Sequence, residues 1–253
     1  MDSKVAFPER LLQLFRQARH VAVLTGAGIS AESGVPTFRE AQTGLWERFK
    51  AEELASPEAF RRDPRLVWEW YAWRRELVRR VSPNPGHIAL VELEKHFPVF
   101  TLITQNVDGL HQRAGSGARF PVIELHGNLQ RTKCFAEDRV VETWQENGEL
   151  PPRCPRCAGP LRPDVVWFGE LLPASALEAA RQAASSCDLF LSIGTSGLVE
   201  PAASLPFHAL SAHIPVVEIN PNPTPLSAQA TFVLSGLAGQ VVPSLVQAIW
   251  PER

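Results

Sequence analysis

The sequence lacks any apolar run near the roughly 18 residues that a membrane-spanning helix needs. It also lacks an excess of charge, because 25 basic and 27 acidic side chains leave a formal net charge of -2. A balance of this kind gives no electrostatic reason to expect nucleic acid or an anionic membrane as a partner. We therefore expect a protein that binds neither.

Cysteine is scarce as well, with four residues in a chain of 253. Two of them form Cys154-Pro-Arg-Cys157, which is not a disulfide framework, so a reducing, cytoplasmic setting is expected. Residues 1–20 combine Asp2 and Glu9 with an apolar stripe. This segment resembles neither a secretion signal nor a transit peptide and is expected to contain the first helix.

Six short runs rich in Val, Ile, Leu and Phe lack polar alternation, which is typical of strands buried on both faces of a parallel sheet. They span residues 20–25, 99–104, 122–125, 188–193, 216–219 and 231–234. Helical patterns separate most of these runs, including residues 85–96 and 174–186. The alternation predicts an α/β fold with a Rossmann-like doubly wound parallel sheet.

Two stretches interrupt the sheet pattern. Residues 41–84 look helical and carry four of the seven tryptophans, whereas residues 128–164 are polar and hold three of the four cysteines. We expect these stretches to form a small domain, made of a helical insertion and a zinc-ribbon-like module. Residues 1–40, 85–127 and 165–253 would then form the large domain.

The first strand is followed by a glycine-rich loop, Gly26-Ala27-Gly28-Ile29-Ser30-Ala31. Its glycines allow the backbone to approach a pyrophosphate, although a plain strand-to-helix turn explains the pattern equally well. A dehydrogenase would continue to a second strand with an acidic residue about 20 positions on. Pro36 instead stops the helix early, which disfavours hydride transfer and predicts a loop that covers its ligand.

Residues 26–39, GAGISAESGVPTFR, resemble the cofactor-binding loop of sirtuins. Further sirtuin-like motifs follow in the family's order: TQNVDGLH at 104–111, ELHG at 124–127, VVWFGE at 165–170, GTS at 194–196 and EIN at 218–220. The resemblance covers nearly the whole chain. It implies an NAD-dependent protein-lysine deacylase, in which a Rossmann-type domain binds NAD and the acyl group passes to ADP-ribose with release of nicotinamide.

Three residues carry the chemistry that the resemblance implies. His126 would act as general base on a ribose hydroxyl of NAD, since an imidazole titrates near pH 7. Asp108 would hold the nicotinamide carboxamide, and Asn106 would order the ribose and a water molecule. Taken singly, the histidine could merely be hydrogen-bonded at a strand end, and the other two could be a loop-capping pair.

The resemblance assigns the other NAD contacts to residues at the ends of the strands. In this sequence they are Gly26, Ala27, Gly28, Glu32, Thr37, Phe38, Arg39, Gln105, Val107, Gly194, Thr195, Ser196, Asn220, Pro221, Asn222 and Ala238. Phe38 would screen the reacting carbon from water, while Asn220-Pro221 is also compatible with an ordinary turn.

Acyl-lysine protein or peptide substrates are the implied partners. An extended segment would pair with the substrate backbone as an added strand. The residues that would bind it are Val166, Phe168, Gly169 and Val199.

Tyr71 and Arg74 lie one helical turn apart, and together they can bind a carboxylate. We place them on the flank of a helix, at the border between core and solvent, beside an apolar stripe of Leu66, Trp70, Trp73 and Leu77. This spacing is common on amphipathic helices, but the YxxR pattern resembles the class III subgroup that removes succinyl and malonyl groups. Ala55 would leave room for a longer acyl chain, and deacetylation could persist alongside.

Cys154 and Cys157 have the spacing of two thiolates that chelate one zinc ion, and Cys134 is a third candidate ligand. The family pattern has a fourth cysteine where this chain has Glu137. Glu137, Asp138 or water could complete the site, or little metal could bind. Any zinc would be structural.

Two other functions remain open on the sequence alone. A mono-ADP-ribosyltransferase or glycohydrolase would also consume NAD, but it would need neither the YxxR pair nor the 165–170 segment. A catalytically silent NAD-sensing interaction module would not need Asn106, Asp108 and His126 together.

Overall fold

The computed structural model describes residues 7–36, 50–145 and 147–251. Its strands are β1 His20–Thr25, β2 Val99–Thr104, β3 Ile123–Glu124, β4 Gly127–Cys134, β5 Leu161–Val165, β6 Leu189–Ile193, β7 Val216–Asn220 and β8 Phe232–Ser235. Its helices are α1 Glu9–Gln17, α2 Ala27–Ala31, α3 Ala51–Leu54, α4 Pro57–Arg62, α5 Pro64–Arg80, α6 Pro85–Lys95, α7 Leu110–Ala114, α8 Ala174–Ser186, α9 Leu205–Ser211 and α10 Ala238–Ile249, with a 3₁₀ turn at Ala202–Ser204.

Six strands form one sheet in the order β3-β2-β1-β6-β7-β8, and the paired strands are parallel. Helices cover both faces of the sheet, and alternate residues of β1 point to opposite faces. Val21 and Val23 join one apolar cluster, whereas Ala22 and Leu24 join another. The predicted doubly wound sheet is confirmed.

The chain runs outward from β1 through β2 to β3, and then returns to the other side of β1 as β6. The strand order therefore reverses between β1 and β6. In open α/β sheets, ligands bind in the crevice beyond the carboxyl ends of the strands at such a point. The fold thus places the loops that follow β1, β2, β6 and β7 around one crevice.

A smaller antiparallel sheet, β4 with β5, lies against α5. The predicted apolar stripe of α5 was wrong by part of a turn. Tyr71 is buried with Val67, Trp70 and Val78, because these positions share the helix face that meets Leu129, Val165 and Trp167. Leu66, Trp73 and Leu77 are only half-buried beside this face.

Strand β4 begins at Gly127 and β5 ends at Val165, one residue beyond each end of the predicted 128–164 module. The division into two domains stays a prediction. Among the residues that the structure describes, no helix is both long and apolar enough to cross a membrane.

Candidate active site

The floor of the crevice is made of main chain. The amide of Gly28 donates to the carbonyl oxygen of Gly194 at 2.7 Å, so the loops after β1 and β6 touch directly. A Cβ on Gly28 would lie 2.7 Å from that oxygen, and one on Gly194 would lie 2.5 Å from the amide nitrogen of Ile29. Gly194 also has a φ of +60°. Only glycine allows this approach, and it leaves backbone rather than side chains facing the crevice.

Asn106 follows β2 and is buried in this floor. Its Nδ2 donates to the carbonyl oxygen of Gly26 at 3.0 Å and to Ser30 Oγ at 3.1 Å, while its own amide donates to Thr104 Oγ1. These bonds tie the end of β2 to the glycine loop. The side chain is therefore held in one orientation beside the crevice.

Asp108 is buried two residues further on. Burial raises the pKa of Asp108, although hydrogen bonds from the Leu110 amide and the Ser30 hydroxyl act in the opposite direction. The Leu110 bond is 2.8 Å long and caps the start of α7. The carboxyl group is thus anchored in a little-hydrated place next to Ser30, which Asn106 also contacts.

His126 is half-buried just beyond β3. Its Nδ1 lies 3.0 Å from the carbonyl oxygen of Gln105. Since a carbonyl oxygen only accepts, Nδ1 carries the proton and Nε2 keeps a free lone pair in the neutral ring. Burial lowers the pKa of His126, and the bond to Gln105 opposes this only in part. The ring is therefore neutral at pH 7, as a general base must be.

Thr195 joins three strand ends on the other side of the crevice. Gln105 Nε2 donates to Thr195 Oγ1 at 2.9 Å, and Asn220 Nδ2 donates to its carbonyl oxygen at 2.8 Å. The loops after β2, β6 and β7 are therefore connected. The remaining predicted contact residues on this side, Ser196, Pro221 and Asn222, are exposed.

The other predicted NAD contacts lie at less central positions. Ala27 is exposed at the start of α2, and Val107 packs against the apolar cluster that contains Tyr71 and Trp167. The Glu32 carboxylate accepts from the amide of Gly239 at 2.6 Å, next to the buried Ala238 at the start of α10. A carboxylate is stabilised at a helix N-terminus, so Glu32 has a structural partner of its own. Thr37, Phe38 and Arg39 lie outside the described residues.

A buried polar network lies behind Asn106 and was not predicted from the sequence. Thr25 Oγ1 lies 2.9 Å from His111 Nε2 and donates to Thr104 Oγ1, while Ser30 Oγ lies 3.4 Å from His87 Nε2. The ring centroids of His87 and His111 are 4.9 Å apart. Burial lowers the pKa of His87 to about 4 and that of His111 to about 3. The TQNVDGLH motif contains His111, but no sequence signal pairs it with His87.

Tyr71 lies deeper than the border between core and solvent where we expected the pair, whereas Arg74 lies at that border. Tyr71 is 3% exposed, and its hydroxyl oxygen accepts from Trp167 Nε1 at 2.8 Å. Arg74 is half-buried, with its Cζ 5.2 Å from the centre of the Trp70 ring. Burial lowers the pKa of Arg74, whereas Tyr71 and Asp108 act to raise it. Arg74 therefore lies near both the Tyr71 phenol and the Asp108 carboxyl group.

The segment after β5 contacts His126 and Ala55 through its main chain. The Val166 amide donates to the carbonyl oxygen of His126, and the Phe168 amide donates to that of the buried Ala55, both at 2.9 Å. The segment is less extended than we predicted, because Phe168 and Gly169 form a turn in which Gly169 has a φ of +86°. Phe168 is exposed, as is Val199 after β6.

The module around β4 and β5 brings four candidate metal ligands together. The Sγ atoms of Cys134, Cys154 and Cys157 and a carboxylate oxygen of Glu137 all lie within 4.8 Å of one another. Glu137 Oε2 is buried and accepts no hydrogen bond, although Arg156 Nε lies 3.5 Å away. Three thiolates and one carboxylate fit a tetrahedral zinc ion. Bound there, zinc would cross-link the module.

Asp138, the other acidic candidate, lies outside this cluster. It has a φ of +51°, and its carboxylate pairs with Lys133 Nζ at 2.6 Å. The backbone turn therefore separates the two neighbouring acids. Only Glu137 belongs to the donor set.

Comparisons with known proteins agree with this geometry. Residues 26–201 match the Sir2 family. An NAD-dependent protein deacylase of Methylococcus capsulatus is 52% identical over 98% of this chain and 99% of its own length. NAD-dependent protein deacylase 2 of Pyrobaculum aerophilum is 53% identical over 93% of each chain.

Solved structures agree in the same way. A Sir2 homolog in complex with NAD has a TM-score of 0.88 at 45% identity, and the match covers 96% of this chain and 94% of that one. A complex of Sir2 with a p53 peptide and NAD⁺ has a TM-score of 0.83 at 30% identity, over 96% and 98% of the two chains.

Proposed function

Since this chain belongs to the Sir2 (sirtuin) family and is an NAD-dependent protein deacylase, we propose that its acyl pocket is adapted to acidic acyl groups. The expected substrates are succinyl-lysine and malonyl-lysine in proteins, with acetyl-lysine accepted as a smaller group. NAD⁺ is the co-substrate.

The observation that carries this proposal is the proximity of the half-buried Arg74 to the buried Tyr71. A guanidinium stays charged at neutral pH even where burial lowers its pKa, so the pocket holds a permanent cation. The terminal carboxylate of a succinyl group can take two parallel hydrogen bonds from Arg74 and a third from the phenol of Tyr71. An acetyl group offers no such acceptor. The pocket chemistry therefore favours a dicarboxylic acyl chain.

The position of Ala55 supports the same proposal. Its methyl side chain is buried beside Tyr71 in the small-domain apolar cluster. Its carbonyl oxygen already accepts from Phe168, which fixes the backbone of this wall. Because Ala55 has a small side chain and a fixed backbone, it leaves space for an acyl chain of four carbons.

We assign the chemical step to His126, Asn106 and Asp108. The acyl oxygen of the modified lysine bonds to the anomeric carbon of the NAD ribose as the bond to nicotinamide breaks, and nicotinamide leaves with the electron pair. The free Nε2 of His126 takes the proton of a ribose hydroxyl, and the ribose oxygen bonds to the acyl carbon. The carbon–nitrogen bond to lysine then breaks, the amine leaves with a proton, and a water molecule supplies the atoms that complete the O-acyl-ADP-ribose. Asn106 positions the ribose, and Asp108 holds the nicotinamide carboxamide.

The remaining roles follow from position. The main chain of Gly26 and Gly28 would face the pyrophosphate, and the loop around Thr195 would face the adenosine half. Val166, Phe168, Gly169 and Val199 would bind the substrate backbone. We also propose the two-domain division described above, and a reducing compartment such as the cytoplasm, because thiolates that ligate metal must stay reduced.

A direct test uses purified protein, NAD⁺ and matched acetyl-, succinyl- and malonyl-lysine peptides, with nicotinamide release and peptide mass as readouts. Arg74→Met should lower kcat/KM for succinyl removal by roughly 10- to 100-fold, the value of a charge-assisted hydrogen bond. Acetyl removal should change far less. Arg79→Met is the matched control, because Arg79 is exposed on the same helix.

His126→Ala should abolish removal of all three groups while leaving the protein folded. Equal losses of acetyl and succinyl removal in Arg74→Met would contradict the proposed pocket. If the wild-type protein releases nicotinamide as fast without a peptide as with one, the deacylase chemistry itself is contradicted.

A further inference from the structure

Tyr71 is the only tyrosine in the sequence, and its hydroxyl has a defined hydrogen-bonding direction. Trp167 Nε1 lies 2.8 Å from the phenol oxygen. An indole N–H can only donate, so Tyr71 accepts in this bond and its own proton stays available for another acceptor. The bond from Trp167 therefore leaves the Tyr71 hydroxyl as a hydrogen-bond donor to a ligand.

The geometry of a phenol limits where that proton points. Conjugation keeps the O–H in the ring plane, with the proton on one side of the oxygen and a lone pair on the other. The Trp167 hydrogen occupies the lone-pair side, which turns the Tyr71 proton to the opposite side. Arg74 cannot receive it, because a guanidinium has no acceptor atom. A carboxylate beside Arg74 can.

Trp167 is itself held by an ion pair between the buried Arg162 and the half-buried Glu170. Arg162 donates to both carboxylate oxygens of Glu170, at 2.5 and 2.8 Å, and Glu170 Oε2 also accepts from the Trp167 amide at 2.8 Å. Arg162 Cζ lies 3.3 Å from the centre of the Trp167 ring. The ion pair thus fixes both the backbone and the ring of Trp167.

The charge state of this pair is stable at neutral pH. Burial would raise the pKa of Glu170, but the hydrogen bonds from Arg162 and from the Trp167 amide outweigh it and leave that pKa lowered. The Arg162 side chain is only 3% exposed. A bidentate pair with a buried guanidinium favours one arrangement, so the indole it holds favours one orientation.

We propose that Trp167 is a positioning residue for acidic-acyl selectivity: its indole N–H, held in place by the Arg162–Glu170 ion pair, fixes Tyr71 as a proton donor toward the carboxylate of the acyl group. This inference rests on the proposed function. It adds a specificity-determining residue that contacts neither the co-substrate nor the acyl carboxylate.

The test is a double-mutant cycle of Trp167→Phe and Tyr71→Phe, assayed with acetyl- and succinyl-lysine peptides. Trp167→Phe keeps an aromatic ring and removes the N–H. It should lower kcat/KM for succinyl-lysine roughly three- to tenfold, mainly through a higher KM. The kcat/KM for acetyl-lysine should change by less than about twofold, since an acetyl group has no carboxylate to accept a hydrogen bond from the phenol. In a Tyr71→Phe background, Trp167→Phe should add no further succinyl loss.

A spectroscopic readout separates positioning from packing. The tyrosine Fermi doublet in the Raman spectrum reports whether a phenol oxygen accepts or donates, and here it arises from Tyr71 alone. Wild type should shift from acceptor only to acceptor and donor when a succinyl peptide binds, and Trp167→Phe should lose the acceptor signature. Phe135→Leu is the packing control, because the Phe135 ring lies 6.3 Å from that of Trp167. It should leave the doublet and the succinyl-to-acetyl ratio unchanged.

The two proposals fail in different ways. If Tyr71→Phe leaves succinyl removal intact, the acidic pocket is wrong. If Tyr71→Phe loses succinyl selectivity but Trp167→Phe does not, the pocket stands and the positioning role is wrong. Equal losses on both peptides in Trp167→Phe, with a lowered Tm, would also overturn the positioning role.

Discussion

The buried pair His87 and His111 predicts that this protein loses stability in mild acid. The pKa of His87 is lowered to about 4 and that of His111 to about 3, mainly by burial, against about 6.5 in an unfolded chain. Above pH 6.5 neither state binds a proton at these rings, so they add no pH dependence. Below pH 6.5 the two histidines bind protons in the unfolded state but not in the folded state. Folding therefore becomes less favourable as the pH falls.

The size of the effect follows from the linkage. Each pH unit below 6.5 costs about 1.4 kcal/mol for each histidine until its folded pKa is reached. Between pH 6.5 and 5.0 both rings stay neutral in the folded state, so the pair lowers the free energy of unfolding by about 4 kcal/mol. This is a large share of the 5–15 kcal/mol typical of folded domains.

Urea unfolding followed by circular dichroism at pH 7.5 and pH 5.0 measures the loss. His111→Gln keeps a polar group next to Thr25 and removes one titrating ring, so it should recover about 2 kcal/mol of the difference between the two pH values. The exposed His208, changed to Gln, is the control and should recover almost none. If His111→Gln shows the same loss between pH 7.5 and 5.0 as wild type, the reasoning is refuted.

Three other predictions follow from single features. Because burial lowers the pKa of His126, the acid limb of kcat/KM against pH should fall below pH 6.5, and a limb above that value would contradict a neutral, buried base. Gly127→Ala should cost about 3 kcal/mol or more of stability in urea unfolding, since Gly127 has a φ of +81° and a Cβ would lie 2.2 Å from the Asp164 carbonyl oxygen. Gly148→Ala has the same φ with no atom within 4 Å of the added Cβ, so a loss there above about 2 kcal/mol would count against the steric argument. Glu137→Gln should lose zinc to a chelator faster than wild type, as measured by metal analysis, whereas Asp138→Asn should not; equal rates in all three proteins would remove Glu137 from the donor set.

Some strands and helices could be predicted closely from the sequence. The runs at 20–25 and 99–104 match β1 and β2, and the helix at 174–186 matches α8, because continuous apolar runs and clear helical periodicity leave few alternatives. The strand-end motifs also locate the crevice, since parallel strands bring their carboxyl ends to one edge.

Other features depend on contacts that are distant in sequence. The buried face of α5 could not be derived from its own residues, because tryptophans lie on several sides and β4 with β5 selects the face that contains Tyr71. Glu137 and Asp138 are adjacent and chemically alike, and only the backbone turn separates them. The meeting of His87 with His111 arises from the packing of α6 against α7.

The hydrogen bonds made by the segment after β5 limit the distance between His126 and Ala55. Val166 is bonded to His126, the proposed base, and Phe168, two positions later, is bonded to Ala55 at the wall of the proposed acyl pocket. Two residues of chain span at most about 7 Å. The distance between the proposed base and the proposed pocket wall is therefore limited by the covalent chain rather than by side-chain packing. We expect substitutions of the residues that line this pocket to change which acyl group fits without moving the site of the reaction.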